Sequence, residues 1–260
     1  MNKKMNKRGQ LTIFIIIAIV LVVVLVIVLW PRLKTLVVKT DTPQAYLQNC
    51  LEKDAGDAVK LASARGGSIN PVHGIMFNGE KIEYLCYTNE YYDTCTTQQP
   101  MLKQHFEYEV SKAVENKVAS CISSFKSDFE SRGYSVSVGS ISSSTEIVPE
   151  NVNININAPI TIAKGEDIQK QDRVKINIKS KIYNLLMIST SILNWEARYG
   201  DSAPESFMMY YPNLKIEKLK QGDGSKIYIL TDLTNKDSFT FASRSLSWPA
   251  GYGIGEKVST

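Results

Sequence analysis

The longest apolar run in the chain, Leu11–Trp30, is unlike anything after it. It carries no charge, and Thr12 is its one polar side chain. No polar face recurs at the 3.6-residue period that a surface helix would show. A helix of about 20 residues rises far enough to cross the roughly 30 Å hydrocarbon core of a bilayer. The run therefore predicts a membrane-spanning helix over 11–30. Beyond it the pattern becomes amphipathic. Leu47, Leu51, Ala55, Ala58 and Ala62 recur at spacings of three and four, which predicts a helix over 43–65. Thr42 and Pro43 suit its start, and Gly66-Gly67 its stop. Phe106, Val110, Val114, Val118, Cys121 and Phe125 predict a second helix over 101–125. Tyr183, Leu186, Leu193 and Ala197, closed by Gly200, predict a third over 181–199.

Between and after these helices the period drops to two. Val136 and Val138 alternate with Ser135 and Ser137, and Tyr134 leads into them. Val152, Ile154 and Ile156 alternate with Asn153, Asn155 and Asn157, and Ile160 and Ile162 extend the pattern. Val174, Ile176 and Ile178 alternate with Lys175, Asn177 and Lys179. Strands are also predicted at 82–87, after an Asn78-Gly79 turn, and at 214–219, 227–230 and 239–241. One polar face per strand is the mark of an antiparallel sheet covered on one side. The fold class expected is α+β: a single transmembrane helix, then an extracytoplasmic domain of helices packed on antiparallel sheet. The parts are a basic cytoplasmic stub (1–10), the span (11–30), a juxtamembrane stalk (31–42), the domain (43–249) and a mobile tail (250–260).

The flanks decide sidedness. Lys3, Lys4, Lys7 and Arg8 precede the span, against Arg32, Lys34 and Lys39 after it, which puts the N-terminus in the cytoplasm. Trp30 suits the headgroup level, Arg32 and Lys34 can snorkel to phosphates, and Pro31 ends the helix there. A removable signal would have a shorter apolar region and a small-residue cleavage site after it, whereas this run is followed by Trp-Pro-Arg.

The 260 residues carry a net charge of +4, which includes the basic stub, and acidic and basic residues are interspersed along the rest. A nucleic-acid groove would need basic residues clustered with stacking aromatics, so no nucleic-acid partner is expected. Cys50, Cys86, Cys95 and Cys121 form an even set, all beyond the span and none at C-x-x-C spacing. Four cysteines allow three connectivities. The spacing favours a short Cys86–Cys95 loop with Cys50–Cys121 joining two helices; buried unpaired thiols are the alternative. Disulfides persist in oxidising compartments, which agrees with an extracytoplasmic domain.

The N-terminal Lys7-Arg8-Gly9-Gln10 followed by an apolar run resembles the archaeal class III, type IV prepilin-like, signal. The resemblance implies cleavage between Gly9 and Gln10 by a membrane peptidase, with the apolar helix as an assembly stem. Such pilins usually carry Glu five residues into the mature chain; here that position is Phe14. Two Cys-bearing helices, the first ending in Gly-Gly, flank a tyrosine-rich insert. That arrangement looks like uncharacterised archaeal surface proteins sharing this N-terminus, a group with no assigned activity to carry over.

Two patches are candidate binding surfaces: Tyr84, Tyr87, Tyr91 and Tyr92 in the insert, and Met208, Met209, Tyr210 and Tyr211 further on. Tyrosine offers a large amphipathic area with few rotors. The simpler use of the first patch is to cover the disulfide loop and helix ends. A nucleophile elbow, H-E-x-x-H, a P-loop, an EF-hand loop and a Cys–His pairing are all missing from the sequence, and Gly251-x-Gly253-x-Gly255 lacks a strand–helix context. No catalytic residue, metal ligand or cofactor is nominated. The expected function is that of a membrane-anchored cell-surface protein with a structural, adhesive or binding role. Its expected partners are the lipid bilayer and either another protein or copies of itself. A pilin-like subunit is the alternative, and an anchored hydrolase a third.

Overall fold

The computed structural model describes residues 17–24 and 42–248. The expected membrane-spanning helix over 11–30 is corrected here. Its described part, residues 17–24, is helical. Among the described residues no helix is long and apolar enough to cross a membrane. The remainder of that run lies outside the described residues. So do Gly9, Gln10, Trp30, Arg32, Lys34, the stub, the tail and all of the stalk but Thr42.

The domain is α+β. Helix α1 (Pro43–Ala64) starts where the Thr42 hydroxyl accepts the Ala45 N–H at 3.2 Å, with Pro43 preset for the first turn. It ends at Gly66, whose φ of +81° and close approach to Glu83 leave no room for a Cβ. Strands β1 (Gly74–Phe77) and β2 (Glu80–Tyr87) form the hairpin expected from Asn78-Gly79, both at positive φ, and β3 (Thr96–Thr97) returns against β2. Helix α2 (Leu102–Ser131) runs well past its expected end, because Ile122, Phe125 and Phe129 continue the buried stripe. Strands β4 (Ser135–Val138), β5 (Ser142–Val148), β6 (Asn151–Lys164) and β7 (Asp167–Lys179) follow. Helices α3 (Ile182–Tyr199) and α4 (Pro204–Tyr210) and strands β8 (Leu214–Lys220), β9 (Ser225–Asp232) and β10 (Ser238–Arg244) complete the domain.

The strands make two sheets. One has the order β1-β2-β10-β9-β8, with β3 also on β2. The expectation of purely antiparallel pairing is corrected at its centre, where β10 lies parallel to β2. Parallel neighbours need a long crossover, and here most of the domain lies between the two strands. The second sheet is built on β6. Strand β7 pairs along its whole length, while β5 (to Asn151–Asn157) and β4 (to Ile160–Ala163) share the other edge end to end. Pro159, which has no N–H to donate, sits at the irregularity between them, and its carbonyl accepts the Gly139 N–H.

Helices α1, α2 and α3 share one apolar core with both sheets, centred on residues such as Leu47, Leu51, Phe106, Phe125, Ile154, Leu186 and Phe239. Disulfides join Cys50 to Cys121, between α1 and α2, and Cys86 to Cys95, as the spacing favoured; no cysteine is free. Two disulfides are consistent with an extracellular or secreted domain.

Candidate functional site

The tyrosine insert is built from the inside out. Tyr84 is buried on β2, and its hydroxyl lies 2.7 Å from Ser225 Oγ. Burial raises its pKa above the ordinary phenol value, and the Ser225 hydroxyl offsets this in part. The His73 ring packs against both Tyr84 and Tyr87, with centroids 5.0 and 4.3 Å away, and the two tyrosine rings are 4.9 Å apart. Arg244, also buried, donates to the carbonyls of Thr88 (2.5 Å) and Asp223 (3.1 Å) while its guanidinium sits 5.4 Å from the Tyr91 ring. Backbone bonds from Leu246 to Asp93 and from Tyr92 to Ser247 fasten the loop to the chain beyond β10, where Tyr92 and Trp248 meet edge to face. Tyr84 and Tyr87 are therefore structural, and Tyr91 and Tyr92 present half-exposed rings.

The second patch divides in the same way. Phe207 and Met208 pack against the core, and Met208 Sδ accepts the Ile216 N–H at 3.3 Å. Met209 and Tyr210, at 79% and 81% exposure, face solvent. Tyr211, Pro212 and Asn213 lie across a groove of about 340 Å³ from Tyr183, Asn184 and Met187 on α3. The exposed face of α3 also carries Trp195 and Tyr199, whose rings are 4.9 Å apart. Sequence reasoning missed Trp195. Its place outside the stripe of Leu185, Leu186, Ile188, Ile192 and Leu193 was the available signal.

A buried ionic network was also missed. Glu196, fully buried, accepts from Lys226 Nζ at 2.8 and 3.0 Å, from Ser243 Oγ at 3.0 Å and from the Tyr228 hydroxyl. Lys226 also donates to the Gly200 carbonyl (2.6 Å) and to Asp201 (3.2 Å). Burial and then the Glu196 carboxylate push the Tyr228 hydroxyl far above the usual phenol range. Burial alone would raise Asp201, but its bonds to Lys218 and Lys226 hold it below its ordinary value. Two carboxylates and a carbonyl therefore surround the Lys226 side-chain nitrogen. The network ties the end of α3 to β9 and β10. The signal for it was a carboxylate continuing the apolar stripe at Ile192, Leu193 and Glu196.

One hydroxyl–imidazole pair exists among the described residues. Ser68 Oγ and His105 Nε2 are 2.8 Å apart, and the neighbouring Ile69 N–H donates to Glu109. Ser68 is buried, and these bonds hold the loop after α1 against α2. No group of three potential metal ligands occurs among the described residues.

No protein family matches the chain, and neither curated proteins nor solved structures give a match.

Proposed function

We propose that this chain is an extracytoplasmic surface protein with a structural or adhesive role, brought to the membrane by its apolar N-terminal stretch. Its exposed aromatic and methionine side chains would recognise another protein. The observation that carries this reading is the exposure of Trp195 and Tyr199 on α3 and of Met209, Tyr210 and Tyr211 at α4, in a domain stapled by two disulfides. Trp, Tyr and Met are the residue types enriched at the centres of protein interfaces. The test is retention of the full chain on envelope preparations of its own host. The double variant M209S/Y210S removes two exposed side chains without touching the core. About a tenfold loss of retention is expected if they form part of a hot spot. Unchanged retention would refute the assignment.

A second reading rests on Lys7-Arg8-Gly9-Gln10 before the apolar run: a pilin-like subunit cut after Gly9. The N-terminal mass of purified protein separates the two, since cleavage leaves Gln10 as the first residue and its absence leaves Met1.

A further inference from the structure

We propose that the outer edge of β7, from Gln169 to Arg173, pairs antiparallel with the same edge of a second copy of this chain, about a two-fold axis through Gln171. The inference stands on backbone geometry and charge. It is independent of the aromatic face described above.

The geometry starts at the far end of the strand. Lys175 and Asn177 turn their N–H and C=O groups away from β6, where Gln44 and Gln48 of α1 satisfy them at 2.6–3.2 Å. Strand β7 itself is unbroken, because the irregularity in its pairing adds its extra residue to β6. By the two-residue period, Gln169, Gln171 and Arg173 point their backbone groups the same way. Among the described residues the one bond to those groups is from the Gln171 side chain to the Arg173 carbonyl at 3.1 Å. The edge is well exposed, with Ile168 at 62%.

A two-fold axis through Gln171 makes Gln171 face its own copy and Gln169 face Arg173, each pair exchanging both backbone bonds. Lys170 then faces Asp172 of the second copy, twice, at the positions where side chains of antiparallel strands come closest. A two-residue slip puts Lys170 opposite Lys170 or Asp172 opposite Asp172, so the charges select the register. The pairing also carries Asp167 of each copy toward Lys175 and Gln44 of the other. That is the first turn of α1, which has no acidic residue of its own and whose positive dipole end favours a negative charge.

The test uses the full chain in membranes under a mild oxidant, with Gln171→Cys as a symmetric cross-link. Paired residues at this position have Cα atoms about 5.5 Å apart, within disulfide range. A disulfide-linked dimer is expected, well above that formed by a cysteine at exposed Lys220. In the Gln171→Cys background, Lys170→Asp or Asp172→Lys alone puts like charges opposite each other and should lower the yield about tenfold. The double swap K170D/D172K should restore it. Peptide mapping of Cys50–Cys121 and Cys86–Cys95 confirms that each variant is folded. Three results overturn the proposal: no dimer above the Lys220→Cys control, a yield indifferent to charge, or no recovery in the double swap. The first would mean that the edge is occupied by a different strand or by none.

Discussion

Gln48 of α1 and Asn177 of β7 exchange two hydrogen bonds: the side-chain amide donates to the Asn177 carbonyl and its oxygen accepts the Asn177 N–H, both at 3.2 Å. Gln44, one helical turn earlier, does the same for Lys175 at 2.6 and 3.1 Å. Four residues of helix and two of strand both advance about 6 Å, so the two amides fall into step with the ladder. The helix thereby supplies a substitute strand at a sheet edge. On the opposite side of the sheet, Ser111 and Glu107 of α2 accept the N–H groups of Thr145 and Ile147 on β5, each at 2.7 Å.

The double variant Q44A/Q48A should therefore loosen this edge specifically. Loss of the four bonds is expected to cost about 1–3 kcal/mol, since water replaces them in part. Hydrogen exchange gives the sharper reading. The amides of Lys175 and Asn177 should exchange faster, while Ile176, which faces β6, should not until the domain unfolds globally. Equal acceleration of all three would show that the glutamines act only through general stability.

The Glu196–Lys226 pair predicts an asymmetry. Replacing Lys226 by Met leaves a fully buried carboxylate without its cation, and a loss of about 3–5 kcal/mol is expected in denaturant unfolding. Glu196→Gln should cost less, because the amide oxygen still accepts and Lys226 keeps Asp201 and the Gly200 carbonyl. The double variant E196M/K226M should recover part of the loss. Recovery is incomplete because Tyr228 and Ser243 then have no acceptor.

Tyr228 gives the domain an alkaline limit. Its folded pKa is raised, by burial first and the Glu196 carboxylate second, above the ordinary value of 10.0. The unfolded chain therefore releases this proton near pH 10 while the folded chain keeps it. The contribution is intact below pH 10 and is lost as pH rises beyond it, at about 1.4 kcal/mol per pH unit for one proton. Y228F should start from a lower stability and show a shallower fall above pH 10. The limb left over belongs in part to Tyr84, also raised by burial. Parallel curves for the two proteins would remove Tyr228 from the account.

How much of this could be read in advance follows from what a side-chain period encodes. Spacings of three and four located α1, α2 and α3 because one stripe of each is buried, and the alternations located β6 and β7. The α+β class and the cysteine pairing follow from the same marks. Period two is silent on strand direction, so the parallel contact of β10 with β2 was not legible. The charge-free pattern of 11–30 reads as a full span, whereas no helix among the described residues is long and apolar enough to cross a membrane. Residue type alone misplaced Tyr84, whose ring is buried, since a tyrosine suits both a core with a polar partner and a surface. Gln44 and Gln48 look like ordinary wet-face residues, and the stripe that runs through Ile192 and Leu193 to Glu196 marks that carboxylate as buried without naming its partners. The partners of all three lie more than 20 residues away in sequence, and no local pattern names them.

The two disulfides should differ in weight. Cys50–Cys121 closes a separation of 71 residues and joins two helices in the core; Cys86–Cys95 closes a separation of 9. Chain-entropy reasoning gives about 4.4 kcal/mol for the long loop and about 2.6 kcal/mol for the short one, because the unfolded chain gains more freedom when a longer loop opens. Replacing Cys50 and Cys121 by Ala should lower the denaturant midpoint more than replacing Cys86 and Cys95. The second pair should show its effect locally. With the loop open, the bond from Leu246 to Asp93 and the edge contact of Tyr92 on Trp248 lose their fixed partner. Proteolysis within 88–95 should then become fast, while the midpoint moves less than it does for the long loop. If the short loop proved the more stabilising of the two, the order would have to come from native contacts at the insert rather than from the freedom of the unfolded chain.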